Sequence, residues 1–269
     1  MQSIIQYILL FVLLTLASCE QSSNWDLSTE NEHQLIIEAI LTDEVAQQEL
    51  FLSRTFDSLT EEASTVSDAV VSVQVNETNY TFEADQQNPG RYISQDIFGV
   101  QSRLDYKLQV ALDGQTYSAT SQLSEVAPIP EVSFDEQAST GLLQLADFVP
   151  LFNPNQQSWY RIEIDWSHLS TESPNEALLH LYTFSSLHIS ELAPPPKSPI
   201  YFPAGSIVTV EKLGLNDDFA AFLRAKAIET DWNGSFFYSA AANPTTNIDG
   251  GALGFFSTCS LLRQTLIAE

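Results

Sequence analysis

Apolar and polar residues alternate between residues 33 and 127 in short runs that are bounded by polar turn residues. These runs are rich in β-branched and aromatic side chains, as β-strands are. Between two of them, Asp113-Gly114 predicts a tight hairpin, because both central residues of a type I′ turn need positive φ. The strands are predicted at residues 34–41, 49–56, 69–75, 79–84, 91–94, 105–112 and 115–120. About seven strands in one segment indicate an immunoglobulin-like or transthyretin-like β-sandwich.

The second half of the chain, residues 128–269, is less regular. It follows Pro128-Ile129-Pro130, which predicts a stiff connector. Strands are predicted at residues 131–134, 142–148, 160–166, 178–184, 206–210 and 251–262. One helix is predicted over 216–228, because Asn216 can cap it and two aspartates occupy its first turn. The expected fold is therefore mainly β: an N-terminal sandwich followed by a β-rich domain with one prominent helix.

The first residues of the chain form an apolar run from Ile4 to Leu16. This run is too short to span a bilayer as a helix, but it suits the hydrophobic region of a signal peptide. It ends in Leu16-Ala17-Ser18-Cys19, which resembles the bacterial lipobox. We expect residues 1–18 to be a lipoprotein signal peptide and Cys19 to be acylated. The alternative is an ordinary secretion signal with a chance cysteine, and the first ten residues lack Lys and Arg.

Residues 19–32 are polar and acidic, without hydrophobic periodicity. Such a composition predicts a flexible segment, here a lipidated tether. The predicted organisation is then a signal peptide at 1–18, a tether at 19–32, a β-sandwich domain at 33–127 and a β-rich domain at 128–269. No later apolar run is long enough to cross a membrane as a helix, so the lipid is the expected anchor to the bilayer.

The chain is strongly acidic, with 35 Asp and Glu against 10 Lys and Arg and a formal net charge of −25. Nucleic acid is excluded as a partner, because phosphate contacts need a basic surface. The acidity either captures cations or basic ligands, or serves only solubility or a saline habitat, which is the simpler interpretation. With Cys19 acylated, Cys259 has no partner for an intramolecular disulfide. Its apolar surroundings predict a buried, inert thiol.

Residues that carry catalytic or metal chemistry form no recognisable motif. The histidines, His33, His168, His180 and His188, lack zinc-ligand spacing, and there is no Gly-x-Ser-x-Gly elbow. Acidic pairs such as Asp43-Glu44 and Asp217-Asp218 are most simply solvated or capping groups. The segment 247–250 is a fragment of a calcium-loop pattern, and a plain turn is the simpler interpretation. We therefore predict no catalytic residue, metal or cofactor, and no enzyme.

Aromatic residues are frequent in the second half of the chain. If some of them line a groove beside the proline-rich stretch 194–203, they could stack on sugars or pack against a partner. Core packing is the alternative for each one. The candidate partner or ligand surface consists of Trp159, Trp166, Tyr201, Phe202 and Trp232.

The order of several motifs resembles that of one known family. The motifs are Leu35-Ile36-Ile37-Glu38-Ala39, Asp68-Ala69-Val70-Val71-Ser72-Val73, Gly90-Arg91-Tyr92, Asp105-Tyr106-Lys107-Leu108-Gln109-Val110, Gly114-Gln115-Thr116-Tyr117-Ser118-Ala119 and the segment from Gly250 to Phe256. They resemble the lipoproteins of Bacteroidota that are catalogued as domain of unknown function 4249. Because these motifs are structural glycines, aromatics and strand residues, no functional residue is carried over. The resemblance implies an accessory lipoprotein near outer-membrane receptors energised by TonB.

Together with the lipobox and the lack of a catalytic motif, this resemblance implies a non-enzymatic outer-membrane lipoprotein of the cell envelope. It is expected to work with a TonB-dependent transporter, either by capping it or by presenting its ligand. The second half is expected to meet the transporter, while the sandwich acts as a spacer. The alternatives are a surface adhesion or structural module and a hydrolase without a readable signature.

Overall fold

A computed structural model describes residues 33–56, 64–171, 173–186, 199–230 and 244–269. The predicted signal peptide, the tether, Cys19, Trp232 and residues 194–198 of the proline-rich stretch lie outside these ranges. The described part, from His33 to Glu269, belongs to one compact unit.

Strands dominate the described residues, which contain one helix. In chain order the elements are β1 (Leu35–Thr42), β2 (Ala46–Arg54), β3 (Val70–Val75), β4 (Thr78–Ala84), β5 (Arg91–Phe98), β6 (Asp105–Leu112), β7 (Gln115–Gln122), β8 (Phe134–Glu136), β9 (Leu143–Leu145), β10 (Gln157–Asp165), β11 (Glu176–Thr183), β12 (Ile207–Leu215), α1 (Asp217–Thr230), β13 (Leu253–Cys259) and β14 (Leu261–Ile267). The prediction of a mainly β fold with one helix is confirmed.

The first sheet has the strand order β13-β1-β2-β5-β4-β3-β6-β7. Neighbouring strands in this sheet are antiparallel, except for β1 and β13, which run parallel to each other. Alternate residues of each strand face one core, as the sequence pattern requires. In β1 these residues are Leu35, Ile37, Ala39 and Leu41, all of them buried. Residues Ile248, Ala252 and Phe256, from the end of the chain, belong to the same core.

The two end strands of this sheet, β7 and β13, meet. The backbone N–H of Thr258 donates to Ser121 Oγ at 3.0 Å, and the N–H of Ser124 donates to the Thr258 carbonyl at 3.2 Å. Further along, Ser118 and Asp249 exchange two backbone hydrogen bonds. The predicted sandwich is therefore built as a single curled sheet, and the last segment of the chain completes it.

The Asp113-Gly114 hairpin between β6 and β7 has positive φ at both residues, 52° and 79°, as the type I′ turn predicts. A Cβ added to Gly114 would meet nothing within 4 Å, so only backbone strain opposes substitution. We expect Gly114→Val to lower the free energy of unfolding by about 1–2 kcal/mol. Urea unfolding measures this loss, with Gly114→Asn as the matched control because Asn tolerates positive φ. Equal stability of the two variants would contradict the strained turn.

The second sheet is antiparallel, with the order β11-β10-β12-β14. On its inner face, residues such as Tyr160, Ile162 and Val210 are buried against Leu143 and Phe202. These two residues are joined by backbone hydrogen bonds of 2.8 and 2.9 Å, which hold the stretch before β12 against β9. The short ribbon of β8 and β9 thus covers the inner face.

Helix α1 fills the junction between the two sheets. Asn216 caps the helix, because its Oδ1 accepts the Phe219 N–H at 2.8 Å, as the sequence predicts. The Phe219 ring stacks on Phe255 of β13, with the ring centroids 5.0 Å apart. Leu213 of β12 and Ile40 of β1 belong to the same apolar cluster. One cluster therefore packs residues of both sheets against the helix.

The chain passes from the first sheet to the second at Ser260. The sequence predicts one strand over 251–262, which is wrong: β13 ends at Cys259 and β14 begins at Leu261. Asp43, directly after β1, accepts hydrogen bonds from Ser260 Oγ at 2.5 Å and from the Leu261 N–H at 2.8 Å. We call this contact the crossover. The predicted domain boundary at residue 128 stays a prediction. The structure does place β13, which comes from the second half of the chain, in the first sheet.

Candidate functional site

The outer face of the second sheet is the side opposite its covered inner face. Strand register places its residues in four rows across β11, β10, β12 and β14. The rows are Tyr182-Trp159-Leu213-Leu261, His180-Arg161-Glu211-Arg263, Leu178-Glu163-Thr209-Thr265 and Glu176-Asp165-Ile207-Ile267. The first row packs in the junction cluster with α1. The remaining rows form the candidate site, which is a surface.

Its second row is a ladder of ion pairs. Arg161 Nη1 lies 3.7 Å from Glu211 Oε2, and Arg263 Nε donates to Glu211 Oε1 at 2.9 Å. Arg263 also binds Glu44 through two nitrogens, at 2.6 and 3.2 Å. The hydrogen bonds to Glu44 and then Glu211 raise the pKa of Arg263 above its usual value. The ladder therefore extends from the second sheet to the turn after β1, and its charges are mutually compensated.

The far end of the outer face, away from the crossover, is partly apolar. Ile207 and Ile267 are direct cross-strand neighbours, and their exposed fractions are 38% and 61%. Leu178, one row closer to the crossover on β11, is 49% exposed. Single exposed apolar residues are common, but neighbouring ones next to polar rows are typical of contact surfaces.

At the opposite end, the aromatic residues of the first row are tied together. Trp159 Nε1 donates to His180 Nδ1 at 3.1 Å, so this ring nitrogen is the acceptor. The Trp159 ring also stacks beside Tyr182, with centroids 6.3 Å apart. These contacts hold Trp159 half-buried at the border of the outer face.

The structure separates the predicted aromatic surface into different environments. Tyr201 is exposed and Trp159 is half-buried, so both can contribute to a surface. The prediction is wrong for Trp166 and Phe202, which are 8% and 0% exposed and belong to the inner-face core. Trp166 has the strand parity of Ile162 and Ile164, which explains its burial. Trp232 lies outside the described residues.

Lys212 is a buried residue that the sequence reasoning did not single out. Its Nζ donates to the carbonyls of Ala127 and Pro128, at 2.9 and 3.2 Å, and lies 5.2 Å from the Tyr160 ring centroid. Burial lowers the pKa of this ammonium, because removal from water disfavours its charged form. Lys212 therefore fastens the predicted connector between the halves to the second sheet.

Cys259 is buried next to the crossover, as its apolar surroundings predict. Complete burial raises the pKa of its thiol to about 12, from an ordinary value of 9.0. The hydrogen bond with the Ser257 hydroxyl lowers the pKa of this thiol, and the nearby Asp43 charge raises it further. A protonated thiol is a weak nucleophile, so this environment suits a structural role.

The buried thiol predicts a specific loss of stability in alkali. Between pH 9.0 and about 12 the folded protein keeps the Cys259 proton while the unfolded chain releases it. In this range the free energy of unfolding of the wild type should fall as the pH rises. Its loss per pH unit should exceed that of Cys259→Ala by roughly 1.4 kcal/mol. Urea unfolding across this pH range measures both slopes. Parallel slopes would show that Cys259 does not titrate in this way.

Two further observations concern metals and membranes. Asn247, in the fragment that resembles a calcium loop, uses both amide atoms to bind the backbone of Phe256, at 2.7 and 3.0 Å. Across the described ranges, no group of three or more His, Cys, Asp or Glu is arranged to hold a metal ion. In the same ranges, no helix has the length and hydropathy needed to span a bilayer.

The fold and this surface define a class: a mainly β protein with a curled sheet, a second sheet and a helix at their junction. A family model described as a domain of unknown function, DUF4249, matches residues 21–265. The chain therefore belongs to the DUF4249 family, as the motif resemblance predicts. A comparison with curated proteins finds no match.

Proposed function

We propose that this protein is an outer-membrane lipoprotein, anchored through Cys19, that serves a TonB-dependent transporter as a non-enzymatic accessory partner. The anchor part rests on Leu16-Ala17-Ser18-Cys19 at the end of a short apolar run. The partner part rests on the family to which the chain belongs and on the geometry of its two sheets.

One observation carries the proposal: the position of His33, the residue that follows the predicted tether. His33 lies two residues before β1, and Arg54 binds both the His33 carbonyl, at 3.2 Å, and Asp113 of the hairpin, at 2.8 Å. The other end of β1 leads to Asp43 and the crossover. The eight extended residues of β1, a length of about 26 Å, therefore separate the point where the tether joins the body from the crossover.

This arrangement suits a spacer and a presenting surface. The tether joins the described body at His33, beside β1 of the first sheet, and the second sheet adjoins the other end of β1 at the crossover. The outer face, with its ion ladder and exposed apolar residues, can then meet a partner that stands in the same membrane. Confinement to the membrane plane raises the effective concentration of both proteins, so weak docking is sufficient.

Cys19→Ser tests the anchor. The wild type should incorporate labelled fatty acid and remain in the membrane fraction, while the variant should lose the label and enter the soluble fraction. Cys259→Ser is the matched control, because that buried thiol should carry no lipid. Equal membrane retention of the two variants would overturn the lipid anchor.

Affinity purification in mild detergent tests the partner. Tagged wild type should recover a TonB-dependent receptor after crosslinking, and deletion of residues 194–199 should lower the recovery. A variant that carries Asp113→Asn in the hairpin near His33 should recover the receptor as the wild type does. Recovery of no β-barrel protein would overturn the transporter partnership and favour the adhesion or structural module.

A further inference from the structure

Strand β14 forms one edge of the second sheet, since β12 is its neighbour in the strand order. Two backbone hydrogen bonds beside β14 fix which of its groups face β12. The Gly214 N–H donates to the Ser260 carbonyl at 3.0 Å, and the Ala268 N–H donates to the Ser206 carbonyl at 2.9 Å. Bonded pairs alternate along an antiparallel ladder. Residues 262, 264 and 266 therefore bond to β12, and residues 261, 263, 265 and 267 direct their backbone groups outward.

Among the described residues, the outward groups of β14 have no backbone partner at its centre and far end. The Leu261 N–H donates to Asp43 at the crossover. In the described part of the chain, no backbone hydrogen bond reaches the outward groups of Arg263, Thr265 or Ile267. Open edge strands are templates for pairing with another strand, and proteins commonly blunt them with charges, proline or bulges. β14 contains no proline and carries a single charge, that of Arg263.

The pattern of apolar and polar residues in β14 is symmetric about Gln264. Read from either end, Leu261-Leu262-Arg263-Gln264-Thr265-Leu266-Ile267 has two apolar residues, three polar residues and two apolar residues. An antiparallel partner of identical sequence, centred on Gln264, places Leu261 opposite Ile267 and Leu262 opposite Leu266. Arg263 then lies opposite Thr265, and the two Gln264 side chains face each other.

We propose that β14 pairs with β14 of a second copy of this chain, antiparallel and centred on Gln264. In this register Arg263 of each copy lies opposite Thr265 of the other, and each such pair can exchange two hydrogen bonds through its outward backbone groups. The Leu261 N–H stays bonded to Asp43, so the ladder is made by these two pairs. The four-stranded sheets of the two copies then join into one continuous sheet. The association is a β-augmentation in which the added strand comes from an identical molecule.

Two neighbouring registers also place outward-facing residues opposite each other, but their side-chain pairs are less favourable. Centring on Arg263 places two Arg263 side chains directly opposite each other, which is destabilising. Centring on Thr265 places Arg263 opposite Ile267 and Gln264 opposite Leu266. Only the register centred on Gln264 keeps every apolar residue opposite another apolar residue.

Charge sets the conditions for this association. Each copy carries a formal net charge of −25, so two copies repel each other at long range. Added salt shortens the screening length from about 30 Å at 0.01 M to about 8 Å at 0.15 M. One strand pair is also a small interface, and small interfaces are typical of transient complexes. The dimer is therefore weak, and its population should rise with salt.

Disulfide trapping of the full-length protein in membranes tests the register. Gln264 is exposed, and in the proposed pair the two Gln264 Cα atoms lie about 4.5 Å apart, within the range of disulfides. Gln264→Cys should form a covalent dimer under mild oxidation, more at higher salt. Ile267→Cys is the matched control, because the two Ile267 positions are six residues out of register, or about 20 Å apart.

The wild type, with its own two cysteines, sets the background of this experiment. Crosslinking of Gln264→Cys no faster than that of Ile267→Cys or of the wild type would overturn the dimer. A faster reaction from Arg263→Cys or Thr265→Cys would overturn the register centred on Gln264.

A proline substitution supplies an independent test of the backbone ladder. Thr265→Pro removes an outward N–H without removing a bond to β12, and proline is tolerated on edge strands. Combined with Gln264→Cys, it should lower trapping roughly tenfold or more, because two hydrogen bonds are lost per dimer. Thr265→Val keeps the N–H and is the control, since both variants lose the hydroxyl contact with Thr209 at 3.2 Å. Equal trapping of the two double variants would overturn the ladder.

Discussion

Gly254→Ala is expected to cause the largest loss of stability among alanine substitutions of the glycines that the structure describes. Gly254 lies in β13 opposite Ile37 of β1, with φ at +91°. A Cβ at this position would stand 2.1 Å from the Ile37 carbonyl oxygen and 2.8 Å from its carbon, and both atoms are backbone. The methyl group and the parallel ladder cannot both be accommodated. We expect a loss of more than about 4 kcal/mol in the free energy of unfolding.

Gly251→Ala separates steric conflict from backbone strain in this experiment. Gly251 has a similar φ of +86°, but a Cβ there would meet nothing within 4 Å. Its substitution should cost about 1–2 kcal/mol through the positive φ alone. Urea unfolding of both variants gives the difference. If the two variants were equally stable, the close approach of β13 to β1 would be refuted.

Asp43→Ala is the second substitution with a large expected effect. It removes the acceptor of two hydrogen bonds at the crossover, from Ser260 Oγ and the Leu261 N–H. Hydrogen bonds to a charged group contribute about 1.5–3 kcal/mol each. Since Asp43 is partly exposed and water can replace some of this interaction, we expect a loss of about 2–4 kcal/mol in the free energy of unfolding.

Glu44→Ala is the neighbouring control for Asp43. Glu44 binds Arg263 across the same junction, but the side chains are 44% and 43% exposed. An exposed pair contributes about 0–1 kcal/mol, and added salt weakens it. Thermal or urea unfolding should therefore rank Asp43→Ala well below Glu44→Ala in stability. The reverse order would mean that the surface ladder, and not the crossover, connects the sheets.

Most of the first sheet is predictable from the sequence because its strands have one buried and one exposed side. Alternation identifies β1 and β6 nearly to the residue, and Asp113-Gly114 fixes the turn between β6 and β7. β12 is predicted too short, because its last residues, from Lys212 to Leu215, are buried on both sides of the strand and break the alternation.

The crossover is not predictable from local pattern. Residues 251–262 form one strand-like stretch, and nothing within it marks Ser260 as the point where the chain changes sheets. That point is set by Asp43, which lies 217 residues before Ser260. The sequence alone predicts Asp43 to be a solvated carboxylate. Long-range partners of this kind are invisible to periodicity.

The aromatic surface is only partly predictable for a related reason. Strand parity places Trp166 with Ile162 and Ile164, and that signal could have assigned it to the core. Phe202 lies outside a regular strand, so its burial depends on the backbone pair with Leu143, and no local pattern shows this. The ion ladder of Arg161, Glu211 and Arg263 needs the strand order before its members can be matched.

Photocrosslinking in intact outer membranes measures most directly which part of the protein meets a partner. A photoreactive residue at Tyr201, the exposed member of the predicted surface, should give an adduct with a TonB-dependent receptor. The same residue at Thr116, beside the hairpin near His33, should give none with that receptor. Receptor adducts from Thr116 alone, or no β-barrel protein crosslinked from Tyr201, would contradict a first sheet that acts as a spacer and a second half that meets the transporter.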